Sequence, residues 1–372
     1  MKNILYLMHV HWGWIKQRPH FIAEYLSLDN DYAVTAFCES SYKNDVLTNN
    51  QVPTSLKLNE LSRLPFGRFR IIRWLNVQFY RFQIRKSIAN ADIIWITYPY
   101  LFNWVEGMIS DRVQLVYDCM DDALEAPLVK NDQGKRTALN ILERRILQRA
   151  NLVIASSDNL KSKLIERYML NPDSISVVNN AVNVKPINDR EFLKSDAFIL
   201  LEKAIANTTQ IKIMYLGTVS NWIDFELIYK SLKNFPEIVY IFIGPKEFTP
   251  TPHDRLIFIP PIPHDEVSNA MAYADALIMP FEISDFIKGV NPVKVYEYIY
   301  SHKPTIVVGY PETEKFSDYV YLYHNENELF YILKMLIEKK LLNNISDEER
   351  LVFISKNTWL ARTRSIKILI NG

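Results

Sequence analysis

The chain has 372 residues, 48% of them hydrophobic, with 43 Lys and Arg against 42 Asp and Glu for a formal net charge of +1. That length exceeds one ordinary core and suits two domains, and the near-neutral balance carries no global nucleic-acid signature. Two cysteines, Cys38 and Cys119, exclude a disulfide framework and a cysteine-built metal site and fit a reducing cytoplasm.

Residues 3–10 form an apolar run of strand length, followed by the loop HWGWIKQRP and an amphipathic helix over 20–26. Strand, glycine-bearing turn and helix make the first unit of a doubly wound α/β domain, where ligands sit at the carboxyl ends of the strands. The loop lacks G-x-G-x-x-G, so a dinucleotide is not expected. Further strands are predicted at 32–38, 90–97, 114–117, 151–155 and 175–178, with helices near 102–110, 136–149 and 157–168, giving a sheet of parallel type. No apolar run reaches the roughly 20 residues of a spanning helix, and the start has no small-residue cleavage site.

Between the second and third strands, residues 63–90 read RLPFGRFRIIRWLNVQFYRFQIRKSIAN, seven basic residues with no acid, interleaved with aromatic and branched side chains. A basic helix of that composition suits an interfacial segment on an anionic membrane leaflet, docked through Arg68, Arg70, Arg73, Trp74 and Arg81. The plainer alternative makes the apolar positions core and the arginines a solvated face. Nucleic acid is not expected, because no binding motif accompanies the charge. The resulting expectation is a cytoplasmic protein, peripheral on the inner face of the cell membrane.

The second half repeats the pattern, with strands at 211–216, 239–243, 256–259, 276–280 and 305–308 and helices from 224, over 265–272 and from 291. Residues 185–210 read as a strandless junction, and 346–369, broken near Asn357, is long enough to cross back. The expected domains are therefore 1–185, 186–345 and a crossing segment 346–372. In GVNPVKVYEYIYSHKPTIVVG, Asn291 is a good N-cap and Pro292 suits the first helical position. Free N–H groups there attract an anion, and Lys294, Glu297 and Tyr298 fall at helical spacing. Cation and helix terminus suit a diphosphate, and a carboxylate one turn on suits a vicinal diol, so the stretch holds a nucleotide; the alternative is a plain cap with a surface ion pair.

The segments WGWIKQRPHFIAEYL, VYDCMDD, IKIMYLGTVSNWIDFELI and NPVKVYEYIYSHKPTIV together resemble bacterial GT-B glycosyltransferases of the family 4 type, among them those assigned to teichuronic-acid and surface-polysaccharide biosynthesis. The resemblance implies two doubly wound Rossmann-like domains facing across a cleft. It implies transfer of a sugar from a nucleoside-diphosphate donor, with uridine the expected nucleoside, to a lipid-linked saccharide acceptor, without a metal cofactor. Glu297 then holds the ribose. Gly289 stands where the family's first acid would be, leaving Glu282 and Asp285 to meet the donor sugar. No Arg or Lys follows Gly217 within Thr218 to Trp222, so the diphosphate charge falls to Lys294 with the helix N-terminus, within a donor-nucleotide site of Gly217, Ser220, Asn291, Val293, Lys294 and Glu297, and Ile262 lies where the family presents main-chain atoms to the nucleobase.

Asp118, Asp121 and Asp122 follow a strand end, on the ligand side of the first domain. An acceptor hydroxyl must lose its proton as the bond forms, so an inverting mechanism needs a base; Asp121 is the candidate and Asp118 the alternate. In a retaining mechanism Asp121 would only orient the acceptor. The loop before the first helix would line the same side: Gly13 permits close approach, Trp14 stacks on the acceptor or packs beneath the helix, Arg18 meets a pyrophosphate, and His20 or His11 serves as acid or base. A nucleotide-sugar epimerase, a sugar phosphorylase and a non-catalytic nucleotide- or glycan-binding subunit are the rival readings.

Overall fold

The computed structural model describes residues 1–40, 51–67, 69–183, 194–341 and 345–372. They fall into two compact units, Met1–Asn179 with Arg362–Gly372, and Asn180–Ala361. The expected boundary at 185/186 lies outside the described residues.

In the first unit, strands β1 (Lys2–Leu7), β2 (Tyr32–Glu39), β3 (Lys57–Leu61), β4 (Ile93–Ile96), β5 (Gln114–Cys119), β6 (Leu152–Ala155) and β7 (Ile175–Val177) form an all-parallel sheet in the order β3-β2-β1-β4-β5-β6-β7. Helices α1 (Arg18–Ser27), α2 (Arg70–Ala89), α3 (Phe102–Val105), α4 (Pro127–Lys130), α5 (Gln133–Arg149) and α6 (Asp158–Tyr168) connect them. Central strands such as β4 are apolar and buried at every position, as a sheet covered on both faces requires. Their side chains pack with Tyr80, Ile84, Trp104, Ile146 and Leu160 from the helices. The strand order reverses between β1 and β4, which makes the carboxyl ends of those two strands the natural ligand crevice of this unit.

In the second unit, α7 (Asp196–Ile205), β8 (Ile211–Leu216), α8 (Phe225–Asn234), β9 (Ile238–Ile243), β10 (Leu256–Ile259), α9 (Val267–Ala272), β11 (Ala276–Met279), α10 (Asp285–Gly289), α11 (Val293–Tyr300), β12 (Thr305–Val308), β13 (Tyr321–Tyr323), α12 (Glu326–Ile337) and α13 (Asp347–Lys356) follow in turn. The parallel sheet runs β10-β9-β8-β11-β12-β13, with its reversal between β8 and β11. The last helix, α14 (Trp359–Asn371), ends in the first unit, where Lys367 Nζ lies 2.9 Å from Asp29 and 2.6 Å from Asp31 and Asn371 donates to the Tyr32 hydroxyl at 3.2 Å.

Several elements differ from expectation. The strand expected over 3–10 stops at Leu7, because the chain turns at His9 toward the α1 loop. The helix expected over 102–110 is one turn, ended by Gly107 at φ 77°. The strandless junction contains α7, whose start is fixed by Ser195: its hydroxyl accepts from Phe198 N and, with the Ser195 N–H, donates to Glu266. The tail does not pass over as one segment from 346: α13, opened by a Ser346–Glu349 capping box, remains with the second unit, as does Thr358 through a bridge to Val182. Among the described residues no helix is long and apolar enough to cross a membrane.

Candidate active site

In the second unit the reversal point is built around Gly217, the residue after β8, and Lys294 in the first turn of α11. β8 pairs with β11 only as far as Met214, so the Leu216 N–H finds no strand partner on that side. The buried Tyr298 hydroxyl accepts it at 2.9 Å and thereby fixes α11 against the end of β8. Tyr298 therefore points into the core, and the expectation that it faces the same way as Lys294 and Glu297 is corrected: the free N–H of a terminating strand is the stronger demand.

Lys294 reaches back over that strand end. Its Nζ lies 5.5 Å from the Tyr215 ring centroid and 5.8 Å from that of Phe281, a cation held between two aromatic faces. Among the described residues no carboxylate pairs with it. Gly217 has φ 145°, and a Cβ there would fall 2.1 Å from Lys294 Cε and 2.7 Å from Nζ. Only glycine lets the ammonium come this close to the backbone. Gly244, after the neighbouring β9, has φ 148°, and a Cβ on it would strike the Gly217 carbonyl oxygen at 2.2 Å. The N-terminus of α11 carries no side-chain cap, so its first amides are open to an anion beside the ammonium.

Asn291 is not that cap. Pro292 occupies the cap position, and the buried Asn291 side chain accepts from Asn180 N at 2.8 Å and donates to Glu312 at 3.2 Å, with Tyr296 hydroxyl also reaching its Oδ1. A fully committed amide anchors the loop before α11 and leaves its amides uncovered. Val293 opens the helix, half-buried. Glu297 lies 3.4 Å from His264 Nε2 and lines a cavity of about 140 Å³ with Asp265, Ser268 and Asn269. The Ile262 side chain belongs to the core with Ile243, Met271 and Tyr298. Ser220 is buried and donates to Asn221 Oδ1 at 3.3 Å. Glu282 is exposed, Asp285 is exposed in α10 and pairs with Lys288 at 3.3 Å, and Gly289 is the buried end of that helix. The structure thus brings Gly217 and Lys294 into contact, while Glu297 faces a separate small cavity.

In the first unit Asp118, inside β5, and Asp121 and Asp122, just past its end, have different environments. Asp118 is fully buried and chelated by Arg18, with Nε at 3.0 and 3.2 Å and Nη2 at 2.7 Å, while Arg18 Nη1 donates to Val178 O at 2.7 Å. Arg18 is spent on this pair rather than facing a pyrophosphate, and Asp118 is spent with it, its carboxylate oxygens taken up by the guanidinium. Asp122 is also buried. Burial alone would raise its pKa, but Arg167 at 2.8 Å and Lys163 at 3.5 Å hold it below the usual carboxylate range. Asp121, half-buried, has no such cation. Burial pushes its pKa up to about 7, Arg18 opposing and Asp122 adding. That places the Asp121 carboxyl where it can exchange a proton near neutrality. Beneath them the buried Glu143 accepts from Tyr117 at 2.6 Å and Tyr168 at 2.7 Å.

The loop before α1 has a different arrangement from the one expected. His20 is fully buried: Nε2–H donates to His11 O at 3.2 Å and Nδ1 accepts from Gln17 N at 3.3 Å. Burial pulls its pKa down to about 4 against those bonds. It is a neutral ring that shapes the loop, not an acid or base. Trp12 packs on it at 5.2 Å, while Trp14 is half-buried and the buried Gly13 donates to His11 Nδ1 at 3.1 Å. Missing from the sequence reading were His9 and Tyr98, which stand just past the ends of β1 and β4 with ring centroids 5.0 Å apart. His9 bonds Thr97 Oγ1 at 2.9 Å, and burial and then the Asp121 charge push the Tyr98 hydroxyl up to about 12.

α2 buries only Asn76, Tyr80, Ile84 and Ile88. Its other large side chains face outward: Ile71 is 73% exposed, Trp74 61% and Phe82 59%, with Phe66 at 68% just before it. Arg70 and Arg73 are exposed and form no ion pair among the described residues. Arg81 is not part of this surface, since its guanidinium donates to the carbonyls of Asn103 and Glu106 at the end of α3. Arg68 lies outside the described residues.

Residues 28–185 match the Glycosyltransferase Family 4 model. The chain is 26% identical over 284 residues, 68% of its length and 67% of the relative's, to TuaH of Bacillus subtilis (strain 168), a candidate teichuronic acid biosynthesis glycosyltransferase. By structure it is similar to sucrose-phosphate synthase from Thermosynechococcus elongatus (TM-score 0.76, 13% identity, 100% and 98% of the two chains). It is also similar to HepE of Anabaena, solved with UDP and glucose (TM-score 0.74, 14% identity, 100% of both chains). With a Glycosyltransferase Family 4 domain over residues 28–185 and two parallel, Rossmann-like sheets, the chain is a glycosyltransferase of the GT-B fold.

Proposed function

We propose that the chain moves a sugar from a UDP-linked donor to a lipid-linked saccharide acceptor in the assembly of a cell-surface polysaccharide, working at the inner face of the membrane. The observation that carries the donor half is Lys294, unpaired among the described residues and held against Gly217 at the reversal point of the second sheet. Ammonium and α11 amides together would neutralise the leaving diphosphate, which is the charge that grows as the glycosidic bond breaks. They supply that compensation from the chain itself, and no metal is required in this reading. Glu297 would take the ribose, and the likeness to a structure solved with UDP supports uridine.

The acceptor half rests on the first unit. Asp121 would remove the acceptor proton, its raised pKa matching that task near neutral pH. The outward aromatic and basic face of α2 supports delivery from an anionic membrane, and the likeness to TuaH supports a surface polysaccharide as product. The test is thermal unfolding of the purified protein against a panel of nucleoside diphosphates, with and without a chelator. UDP should stabilise it by about 2.7 kcal/mol at a hundred times its Kd, chelator or not. Stabilisation by none of the panel would defeat the donor assignment, and stabilisation lost to chelator would defeat the metal-free one.

A further inference from the structure

A groove of about 1340 Å³ lies in the first unit, beyond the roughly 300–1,000 Å³ of ordinary small-ligand sites. Tyr80, Tyr100, Trp104, Val129, Leu139 and Leu142 wall it, so its lining is mainly apolar. At one boundary Leu64, Pro65 and Phe66 join it to the outward aromatic face of α2. At another it reaches His9 and Tyr98, past the ends of β1 and β4, on the sheet edge where Asp121 follows β5. One continuous apolar surface therefore links the face read as membrane-docking to the reversal point of the first sheet.

The charges on the groove select its occupant. Arg63, Arg70, Arg73 and Lys135 border it, against two carboxylates. Both carboxylates are engaged: Glu39 with Arg63 at 3.4 Å, and Asp132 with Lys135 at 3.2 Å while capping α5 through Lys135 N at 3.0 Å. Arg70 and Arg73 remain as surplus cation beside an apolar trough. A free sugar would waste the apolar wall and a neutral hydrocarbon would waste the arginines. An amphiphile with a long chain and a phosphate head uses both.

We propose that this groove seats the hydrocarbon chain nearest the phosphate of the lipid-linked acceptor itself, so that the first unit recognises the lipid directly and not only the sugar it carries. This rests on the acceptor reading above, and it goes further by giving the chain a built site inside the fold rather than leaving it in the bilayer. Helix α5 offers two places to fill the groove. Ala138 is exposed and lines it, and Gly134 lines it where an added Cβ would meet only Asp132 Oδ1, at 3.5 Å, an ordinary contact.

The test is calorimetric titration of the full-length protein with farnesyl diphosphate, inorganic diphosphate and the short-chain lipid dihexanoylphosphatidylglycerol. Farnesyl diphosphate should bind, Ala138→Trp should weaken it at least tenfold, and affinity for UDP should be unchanged. Gly134→Trp is the second variant should Ala138→Trp fail to fold. Unchanged farnesyl diphosphate binding in the folded variants would overturn the proposal. So would equal affinity for inorganic diphosphate, which would mean charge alone, or for the phosphatidylglycerol, which would make the groove a seat for bulk bilayer lipid. Failure of the transferase reading would show separately, as absent sugar transfer or UDP binding with farnesyl diphosphate binding and its loss in the variants intact.

Discussion

Replacing Gly217 with alanine puts a single methyl between a backbone and an ammonium. The new carbon would lie 2.1 Å from Lys294 Cε, where carbon atoms prefer 3.5–4.0 Å. The lysine end is flexible, so it retreats by about 1.5 Å rather than forcing the strand apart, a displacement that takes it out of hydrogen-bond range of a bound phosphate. A hydrogen bond to a charged group contributes about 1.5–3 kcal/mol, which at 1.4 kcal/mol per decade is roughly a ten- to hundredfold weaker Kd for UDP. The φ of 145° adds a separate penalty of about 1–3 kcal/mol that appears in thermal stability and not in affinity. Titrating UDP into wild type, Gly217→Ala, Lys294→Ala and the double variant separates the effects. Because both substitutions act through one ammonium, the double variant should bind no more weakly than the poorer single one. Wild-type affinity in a folded Gly217→Ala protein, or losses that simply add, would refute the reasoning.

Three further outcomes follow from other parts of the fold. Asp121→Asn should bind UDP normally and lose at least a hundredfold in transfer rate; in wild type the rate should fall as pH drops below about 7, because a carboxyl whose pKa is raised that far is protonated there and no longer accepts a proton. Charge reversal of Arg70 and Arg73 together to Glu should release the protein from anionic vesicles in a sedimentation assay, whereas undiminished pelleting would remove α2 from the membrane. Glu143→Ala strands the buried hydroxyl of Tyr117 at a cost of about 1–3 kcal/mol, while Tyr168 keeps Asn140 Oδ1 at 2.8 Å, and a denaturation midpoint equal to wild type would contradict the network.

What the sequence made legible follows from how each element is stabilised. Fully buried strands such as β4 and β9 are continuous apolar runs, and their order along the chain carried the architecture. β3, KLNEL, is an edge strand held by backbone pairing to β2, so its side chains carry no burial pattern to read. The three-residue edge strand β13 is too short to show one. Lys294 was visible because its helix start is local; its contact with Gly217 spans two elements and was not. The same limit applies to Arg18 and Asp118, a hundred residues apart: each was read as facing a ligand, and the fold pairs them with each other. Asn291 looked like a cap because of its residue type, but three buried partners outbid the helix for its amide. Asp121 is the candidate base in the sequence already, and the ion pairs of Asp118 and Asp122 are the tertiary contacts that set it apart from its neighbours.

The two cysteines add an experimental convenience. Cys38 and Cys119 are buried, and burial drives both thiols upward, Cys38 to about 11 and Cys119 well above its ordinary value. Thiolate is the species that alkylating reagents attack, so the native chain should be nearly inert to maleimides. A cysteine introduced at the exposed Trp74 would then be the single labelling position, with no need for a cysteine-free background. A polarity-sensitive dye there would report directly whether that helix enters a bilayer, and how deeply.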